Sequence, residues 1–326
     1  MTIYWKRGLL LVLLMCPVDL AVGANAGIMW GINGHPVQGG PYTAISPAKQ
    51  MADIATAGLR SYRMDLYDAS AASQAVLQTF VTAGAAKGVQ ILPVLIPDYQ
   101  TEASEASAYA TGFALAKTYA TDFPAITVWE LGNEYETRAL IGDVQGSDIT
   151  KYDPRLYALG RGMTRGMLDG MRAGSPTAKG IVGTAGFCNF GWLNARWADG
   201  LRWDITGEHW YSGGKNIQAI PCMVGLTNKL ELLHTKFGKP IWITEWNYNE
   251  GSSKTAMASL LTTTMSVWNA VAQQYDIEAA HIYELYDQPG LAGMEAVYGI
   301  ASSKGVLNAA GTAVSNYLAQ HPSVAN

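Results

Sequence analysis

Short apolar runs alternate along the chain with longer segments whose apolar residues recur at helical spacing. The apolar runs are nearly continuous, as in VQILPVLIP (89–97) and PIWITEWNY (240–248), which is typical of parallel strands buried on both faces. Each run is followed by a segment such as 105–120, with apolar residues three and four positions apart, which predicts an amphipathic helix. The strand–helix pattern repeats eight times between residues 27 and 320.

Eight strand–helix units in about 300 residues predict a single (β/α)8 TIM barrel, an α/β fold. A doubly wound open sheet is the alternative fold. It is disfavoured because no G-x-G-x-x-G motif follows the first strand. No linker or low-complexity tract divides the chain, so we expect one catalytic domain over residues 27–326.

The N-terminus has the pattern of a secretion signal. Lys6 and Arg7 precede the apolar segment 8–18, and small residues at 24–26 offer a cleavage site. The apolar segment is shorter than the roughly 20 residues that a membrane-spanning helix needs. We therefore expect residues 1–26 to be a signal peptide. The mature protein would be secreted or periplasmic, without stable membrane insertion.

Composition narrows the possible partners. Hydrophobic residues make up 49% of the chain and the net charge is −4 with no basic run, so a large core is expected and nucleic acid is not. Two cysteines, Cys188 and Cys222, remain after signal cleavage and could either pair or stay free. No group of Cys, His and carboxylates has metal-binding spacing, so neither a metal nor another cofactor is predicted.

Two predicted strands end in a glutamate, at the end of the barrel where active sites lie. The fourth strand ends in Gly132-Asn133-Glu134 and the seventh in Thr244-Glu245-Trp246. Two facing carboxylates can cleave a glycosidic bond, one protonating the leaving oxygen while the other attacks the anomeric carbon. The acid would need a raised pKa, which aromatic walls and a neighbouring carboxylate could supply.

Four motifs in order resemble clan A of the retaining glycoside hydrolases: RSYRMD (60–65), GNE (132–134), HWY (209–211) and TEWN (244–247). The resemblance implies that Glu134 is the acid/base and Glu245 the nucleophile. Asn133 would bind the sugar 2-hydroxyl, and Arg63 would match the strand 2 arginine of the clan. His209 and Tyr211 would match its strand 6 pair, with Tyr211 orienting the nucleophile.

Within the clan, ITEWN (243–247) is most similar to family 39, which includes β-xylosidases and exopolysaccharide-processing enzymes. The chain departs from that family in two places. Tyr135 follows Glu134, where family 39 often has proline, and Tyr283 stands where many clan members have tryptophan. The accessory β-sandwich common in family 39 has no room in this chain.

Further rim residues are predicted to bind the sugar. Trp30, Trp210 and Trp246 are expected to stack on pyranose rings, since aromatic faces pack against apolar sugar faces. His35, Asp98 and Tyr283 are expected to bind hydroxyl groups, with a role in a turn as an equal alternative for His35 and for Asp98. Two other carboxylates lie beside Glu134: Glu130 is expected to be buried with a cation, and Glu136 to be a loop charge.

These features predict a secreted retaining β-glycosidase whose partner is a β-linked polysaccharide or oligosaccharide. Exopolysaccharide is the favoured substrate because the chain is exported and its rim is rich in aromatic residues. Endo-action is favoured because there is no large accessory domain. The alternatives are a carbohydrate-binding barrel without catalysis, a transglycosylase, and an exo-acting β-glycosidase of the same clan.

Overall fold

The computed structural model describes residues 27–142, 145–186, 188–211, 215–220, 228–248 and 250–324. Eight parallel strands close into a barrel in chain order, which confirms the predicted (β/α)8 fold. The strands are β1 Met29–Gly34, β2 Ser61–Leu66, β3 Gln90–Leu95, β4 Val128–Leu131, β5 Lys179–Thr184, β6 Ile205–Trp210, β7 Ile241–Trp246 and β8 Ile277–Ile282.

The predicted helices follow the strands and surround the barrel. They are α1 Pro41–Ala44, α2 Pro47–Thr56, α3 Ala71–Ala85, α4 Glu105–Asp122, α5 Pro154–Gly174, α6 Gly191–Ala198, α7 Lys229–Phe237, α8 Lys254–Tyr275 and α9 Ala309–Gln320. Polar side chains before the first turn accept backbone N–H groups, as Ser104 does for α4 and Asp153 for α5. None of the helices in the described ranges is long and apolar enough to cross a membrane.

Two predictions concern residues that are not described. The predicted signal peptide (1–26) lies outside the described residues, so its assignment stays a prediction. Cys222 also lies outside them, while Cys188 is buried and disulfide-bonded.

The barrel interior has an apolar layer below a polar one. An apolar cluster fills the end where the strands begin, formed by Met29, Leu92, Val128, Ile181, Ile205, Trp242 and Ala279. Nearer the carboxyl ends of the strands, the buried side chains are polar and hydrogen-bonded to one another: Asn33, Arg63, Glu130, His209, Thr244 and Glu245. The polar layer therefore lies directly beneath the rim at which the site is predicted.

Strand β7 contains one extra residue at this rim. Glu208 of β6 pairs with Ile243, but His209 pairs with Glu245, so Thr244 has no partner of its own. Two consecutive side chains consequently face inward: Thr244 donates to Glu130 at 2.9 Å, and Glu245 accepts from Arg63 at 2.6 Å. A β-bulge commonly redirects a side chain near an active site.

The three tryptophans predicted to stack on sugar are buried between the barrel and its helices, so that prediction is wrong. Trp30 stacks on Trp268 of α8, with ring centroids 6.4 Å apart, because it lies on the opposite face of β1 from Asn33. Trp246 follows the bulge and packs on the same Trp268 at 4.8 Å. Trp210 adjoins the inward-facing His209 and is 4% exposed, within the outer core.

Candidate active site

Glu245 lies in the wall of a rim cavity and is held by donors on both carboxylate oxygens. Arg63 Nη1 donates to Oε1 at 2.6 Å, and the Tyr211 hydroxyl donates to Oε2 at 2.9 Å. His209 Nδ1 is a further 3.5 Å from Oε2. These contacts fix the orientation of the carboxylate, as an attacking group requires.

Glu134 stands on a tight turn directly after β4. The turn has positive φ at Gly132 (101°) and at Glu134 (47°), the second a conformation that costs a non-glycine residue about 1 kcal/mol or more. Tyr135 anchors the turn, because its hydroxyl donates to the Pro97 carbonyl at 2.8 Å and its ring lies 4.7 Å from that of Tyr99. The Glu134 side chain, 32% exposed, is thereby presented to the cavity.

Glu134 and Glu245 are close together, with His209 beside both. His209 Nδ1 is 2.8 Å from Glu134 Oε1, and one ligand atom of each of these three residues lies within 4.8 Å of the others. Retaining glycosidases hold their carboxyl groups about 5–5.5 Å apart, whereas inverting enzymes need about 6.5–9.5 Å. The chosen carboxylate oxygens lie at most 4.8 Å apart, which favours the closer spacing of the retaining enzymes.

The pKa shifts of Glu134 and His209 favour a proton on the histidine. Burial alone would lower the pKa of His209, but Glu245, Glu130 and Glu134 raise it well above its usual value. Burial would raise the pKa of Glu134, yet its contact with protonated His209 lowers it. The predicted raised pKa of Glu134 is therefore wrong for this structure, because the nearest group is a cation rather than only a second carboxylate.

Arg63 connects the two catalytic candidates through a buried network. Its guanidinium donates to Glu130 at 2.5 Å, to Asn33 at 2.8 Å and to Asn133 at 2.6 Å, besides Glu245. Burial would raise the pKa of Glu130, but Arg63 lowers it to about 2. The prediction of a buried Glu130 paired with a cation is confirmed. With its oxygen bound to Arg63, Asn133 has its NH2 group left to donate to a sugar oxygen.

The cavity has a volume of about 350 Å3 and lies over β1–β4 and β6–β8. It is lined by His35, Gln38, Asp65, Tyr67, Ile96, Asn133, Glu134, Tyr211, Glu245, Tyr283, Glu295 and Tyr298. His35 and Tyr283 thus lie where they were predicted. Tyr67 and Ile96 directly follow β2 and β3 and were not predicted. Gln38, Glu295 and Tyr298 were also not predicted, because they lie in loops, where side-chain direction has no periodic pattern.

Asp98 is not part of the cavity wall, so its predicted contact with substrate is wrong. Its carboxylate accepts the Gln100 N–H at 3.1 Å and caps the short 3-10 turn Tyr99–Thr101. The side chain is half-exposed and lies 3.8 Å from Arg138. Asp98 therefore has a local structural role next to the anchored Tyr99.

Glu134, His209 and Glu245 also form the group of described residues whose ligand atoms could surround a metal ion. However, both oxygens of Glu245 already accept hydrogen bonds, from Arg63 and Tyr211. A nearby buried guanidinium also disfavours a second cation. That no metal is required stays a prediction.

Glu136 is fully buried, so its prediction as a loop charge is wrong. One oxygen accepts the Ala185 N–H at the end of β5, and the other has no hydrogen-bond partner among the described residues. Burial, and then the charge of Glu134, raise the pKa of Glu136 to about 8. The turn after β4 therefore buries a residue two positions beyond Glu134 against the end of β5.

The buried Glu136 predicts a pH-dependent stability. Its folded pKa of about 8 lies above the ordinary 4.5, so the folded state binds a proton that the unfolded state releases. The contribution of Glu136 to the stability of the folded protein is therefore fully present below pH 4.5. It is lost as pH rises through the folded pKa of about 8. The rise in the pKa of Glu136 from 4.5 to about 8 corresponds to roughly 5 kcal/mol of stability.

Urea unfolding between pH 5 and 9 measures this effect. The free energy of unfolding of the wild type should fall as pH rises over that range. In Glu136→Gln, whose side chain cannot ionise, we expect this fall to be smaller by several kcal/mol. Parallel stability curves for the two proteins would show that Glu136 does not titrate in this window.

Comparisons with known proteins bear on both the fold and the chemistry. Residues 169–311 match the family model described as glycosyl hydrolase catalytic core. No curated protein sequence matches the chain. The family match, together with the barrel, supports a glycoside hydrolase.

Solved structures with the same fold include the family 1 β-glucosidase from Thermotoga maritima. That structure is 11% identical, with a TM-score of 0.68, over 92% of this chain and 99% of that chain. The same β-glucosidase in complex with noeuromycin gives the same values. At this identity the likeness shows the fold alone. The finer resemblance to family 39 stays a prediction.

Proposed function

We propose that this protein is a secreted retaining β-glycosidase that cleaves a β-linked polysaccharide, with Glu245 as nucleophile and Glu134 as acid/base. The observation that carries the proposal is the separation of these carboxylates, whose oxygens approach within 4.8 Å beside His209. The β configuration follows from the resemblance to clan A and from the β-glucosidases that share the fold.

In the first step, Glu245 attacks the anomeric carbon while Glu134 protonates the leaving oxygen. Because Glu134 is ionised beside protonated His209, its proton comes from His209 Nδ1 across 2.8 Å. Hydrogen bonds from Arg63 and Tyr211 orient the Glu245 carboxylate towards the anomeric carbon. The product is a covalent glycosyl–enzyme and a released alcohol.

In the second step, Glu134 removes a proton from water, which attacks the same carbon and releases Glu245. The proton passes back to His209, so both groups return to their starting states. An acceptor sugar in place of water would give transglycosylation from the same residues, and water access to the intermediate decides between the two outcomes.

The proposed function includes secretion of the protein and endo-action on a polymeric substrate. The signal-like segment 1–26 supports secretion. The one-third exposed Glu134 side chain supports an open aglycone side, where a polymer could continue, and hence endo-action. A binding barrel without catalysis is disfavoured because both carboxylates stand in working geometry.

Two measurements test the mechanism. Proton NMR during cleavage of a β-linked substrate should show the β-anomer first, because double displacement retains configuration. A 2-deoxy-2-fluoro aryl β-glycoside should leave a glycosyl adduct on Glu245, found by peptide mass analysis, and none in Glu245→Gln. An α-anomer as first product would refute the proposed mechanism.

A further inference from the structure

The rim cavity lies on one side of the catalytic pair. Apart from Asn133, Glu134, Tyr211 and Glu245, nearly all of its lining comes from the ends of β1, β2 and β8 and the loops that follow them. Under the proposed function, the sugar that becomes bound to Glu245 fills this cavity. With the 2-hydroxyl at Asn133, its substituents from C3 to C6 therefore face the wall formed by those elements.

That wall carries carboxylates whose partners are fixed within the protein. Asp65 Oδ2 accepts from His35 Nδ1 at 2.6 Å and from Gln38 Nε2 at 2.7 Å, and Glu295 accepts from the Tyr283 hydroxyl at 3.0 Å. Glu284 lies just behind, with its Oε2 3.6 Å from His35 Nε2. That ring nitrogen is buried and has no hydrogen-bond partner among the described residues.

Cations near the cavity are already committed to other carboxylates. No Lys or Arg is among the described residues that line it. Arg63 is buried against Glu130 and Glu245, and His209 is buried against Glu134. His35 also lines the cavity; burial would lower its pKa, but Asp65 and Glu284 raise it, and its ring is committed to Asp65 at 2.6 Å. A negatively charged group would therefore meet Glu295 without a free cation among the described lining residues to compensate it, and like charges brought together oppose binding.

Resting on the proposed function, we infer that the glycone site takes an uncharged pyranose and excludes uronic acids. Carboxylate oxygens only accept hydrogen bonds, and sugar hydroxyls donate them, so the wall is complementary to a hydroxylated ring. A C6 carboxylate would replace such a donor by a second anion. The expected discrimination is about 100-fold or more in kcat/KM.

The test uses pairs of 4-nitrophenyl β-glycosides that differ only at C6: glucoside with glucuronide, and galactoside with galacturonide. It also uses a β-linked polymer of alternating neutral and uronate residues. The sugar that occupied the glycone site becomes the new reducing end, so reductive tagging and mass analysis identify it. We expect neutral reducing ends and a preference of about 100-fold for the neutral aryl glycoside.

Glu295→Gln, which removes one wall charge, should reduce that preference about 10-fold. Glu231→Gln removes a charge from an exposed position on α7 and should leave the preference unchanged. Uronate reducing ends, or an unaltered preference in Glu295→Gln, would overturn the inference while cleavage itself upholds the proposed function. Failure of the wild type to cleave any β-glycoside or polymer would overturn both.

Discussion

Replacing Glu245 by Gln is expected to lower kcat about 10⁴-fold or more, with little change in folding. The amide keeps the shape of the side chain but is a far weaker nucleophile than the carboxylate, so no glycosyl–enzyme forms. Steady-state assays with an aryl β-glycoside that the wild type cleaves measure the loss. Circular dichroism and urea unfolding verify that the variant is folded.

Glu134→Ala separates the acid/base role from the nucleophilic one. A 2,4-dinitrophenyl leaving group needs no protonation, so the variant should still form the glycosyl–enzyme with that substrate and then stall. Added azide should restore turnover by attacking the intermediate and give a β-glycosyl azide. Glu231→Gln, at an exposed position on α7, is the matched control and should keep wild-type activity. Turnover at the wild-type rate in Glu245→Gln would contradict the assignment of Glu245 as the nucleophile.

Replacing Arg63 by Met is expected to lower the free energy of unfolding by about 3–5 kcal/mol. The substitution leaves the buried carboxylate of Glu130 without its cation and releases Glu245 and Asn133 from their common donor. Catalysis should fall as well, since the nucleophile loses one of its fixed hydrogen bonds. Urea unfolding at pH 7 and kcat/KM measure the two effects.

Further variants show whether the buried charge is the cause. Arg63→Lys keeps the charge, but one ammonium with three N–H donors cannot serve the four acceptors that the planar guanidinium reaches, so an intermediate loss is expected. Adding Glu130→Gln to Arg63→Met should recover part of the stability by removing the unpaired charge. Arg172→Met breaks a partly exposed contact with Asp204 at 3.3 Å and a hydrogen bond to the Arg202 carbonyl at 2.7 Å, and should lower stability by only about 1 kcal/mol. A similarly small change in Arg63→Met would refute the network.

The catalytic candidates could be predicted from sequence because the fold places them. In a closed parallel barrel all strands end at one rim, so polar residues at the ends of apolar strands must meet there. Glu134, Glu245 and His209 lie at or directly after the end of such a strand, Arg63 lies in the middle of β2, and the structure brings the four together. The prediction needed the order of the strands and no knowledge of distances.

The errors arise where local geometry departs from regular alternation. Asp98 and Glu136 follow their strands on turns whose direction the sequence does not reveal, so one caps a turn and the other is buried. The direction of the Glu134 pKa depended on a histidine from β6, 75 positions away in the chain. Gln38 and Glu295 come from loops, where side-chain direction has no periodic pattern to predict it.

The extra residue in β7 means that strand length, as well as residue type, determines the identity of the nucleophile. If β7 kept the same sequence but paired with β6 without a bulge, Thr244 would have a partner of its own. Period-two alternation would then point Glu245 towards α8 and Trp246 into the cavity. An alignment of related chains that places its gap one position away here would therefore match the attacking carboxylate to a core tryptophan. Related sequences should therefore be aligned across β7 by the His209–Glu245 pairing rather than by identical residues alone.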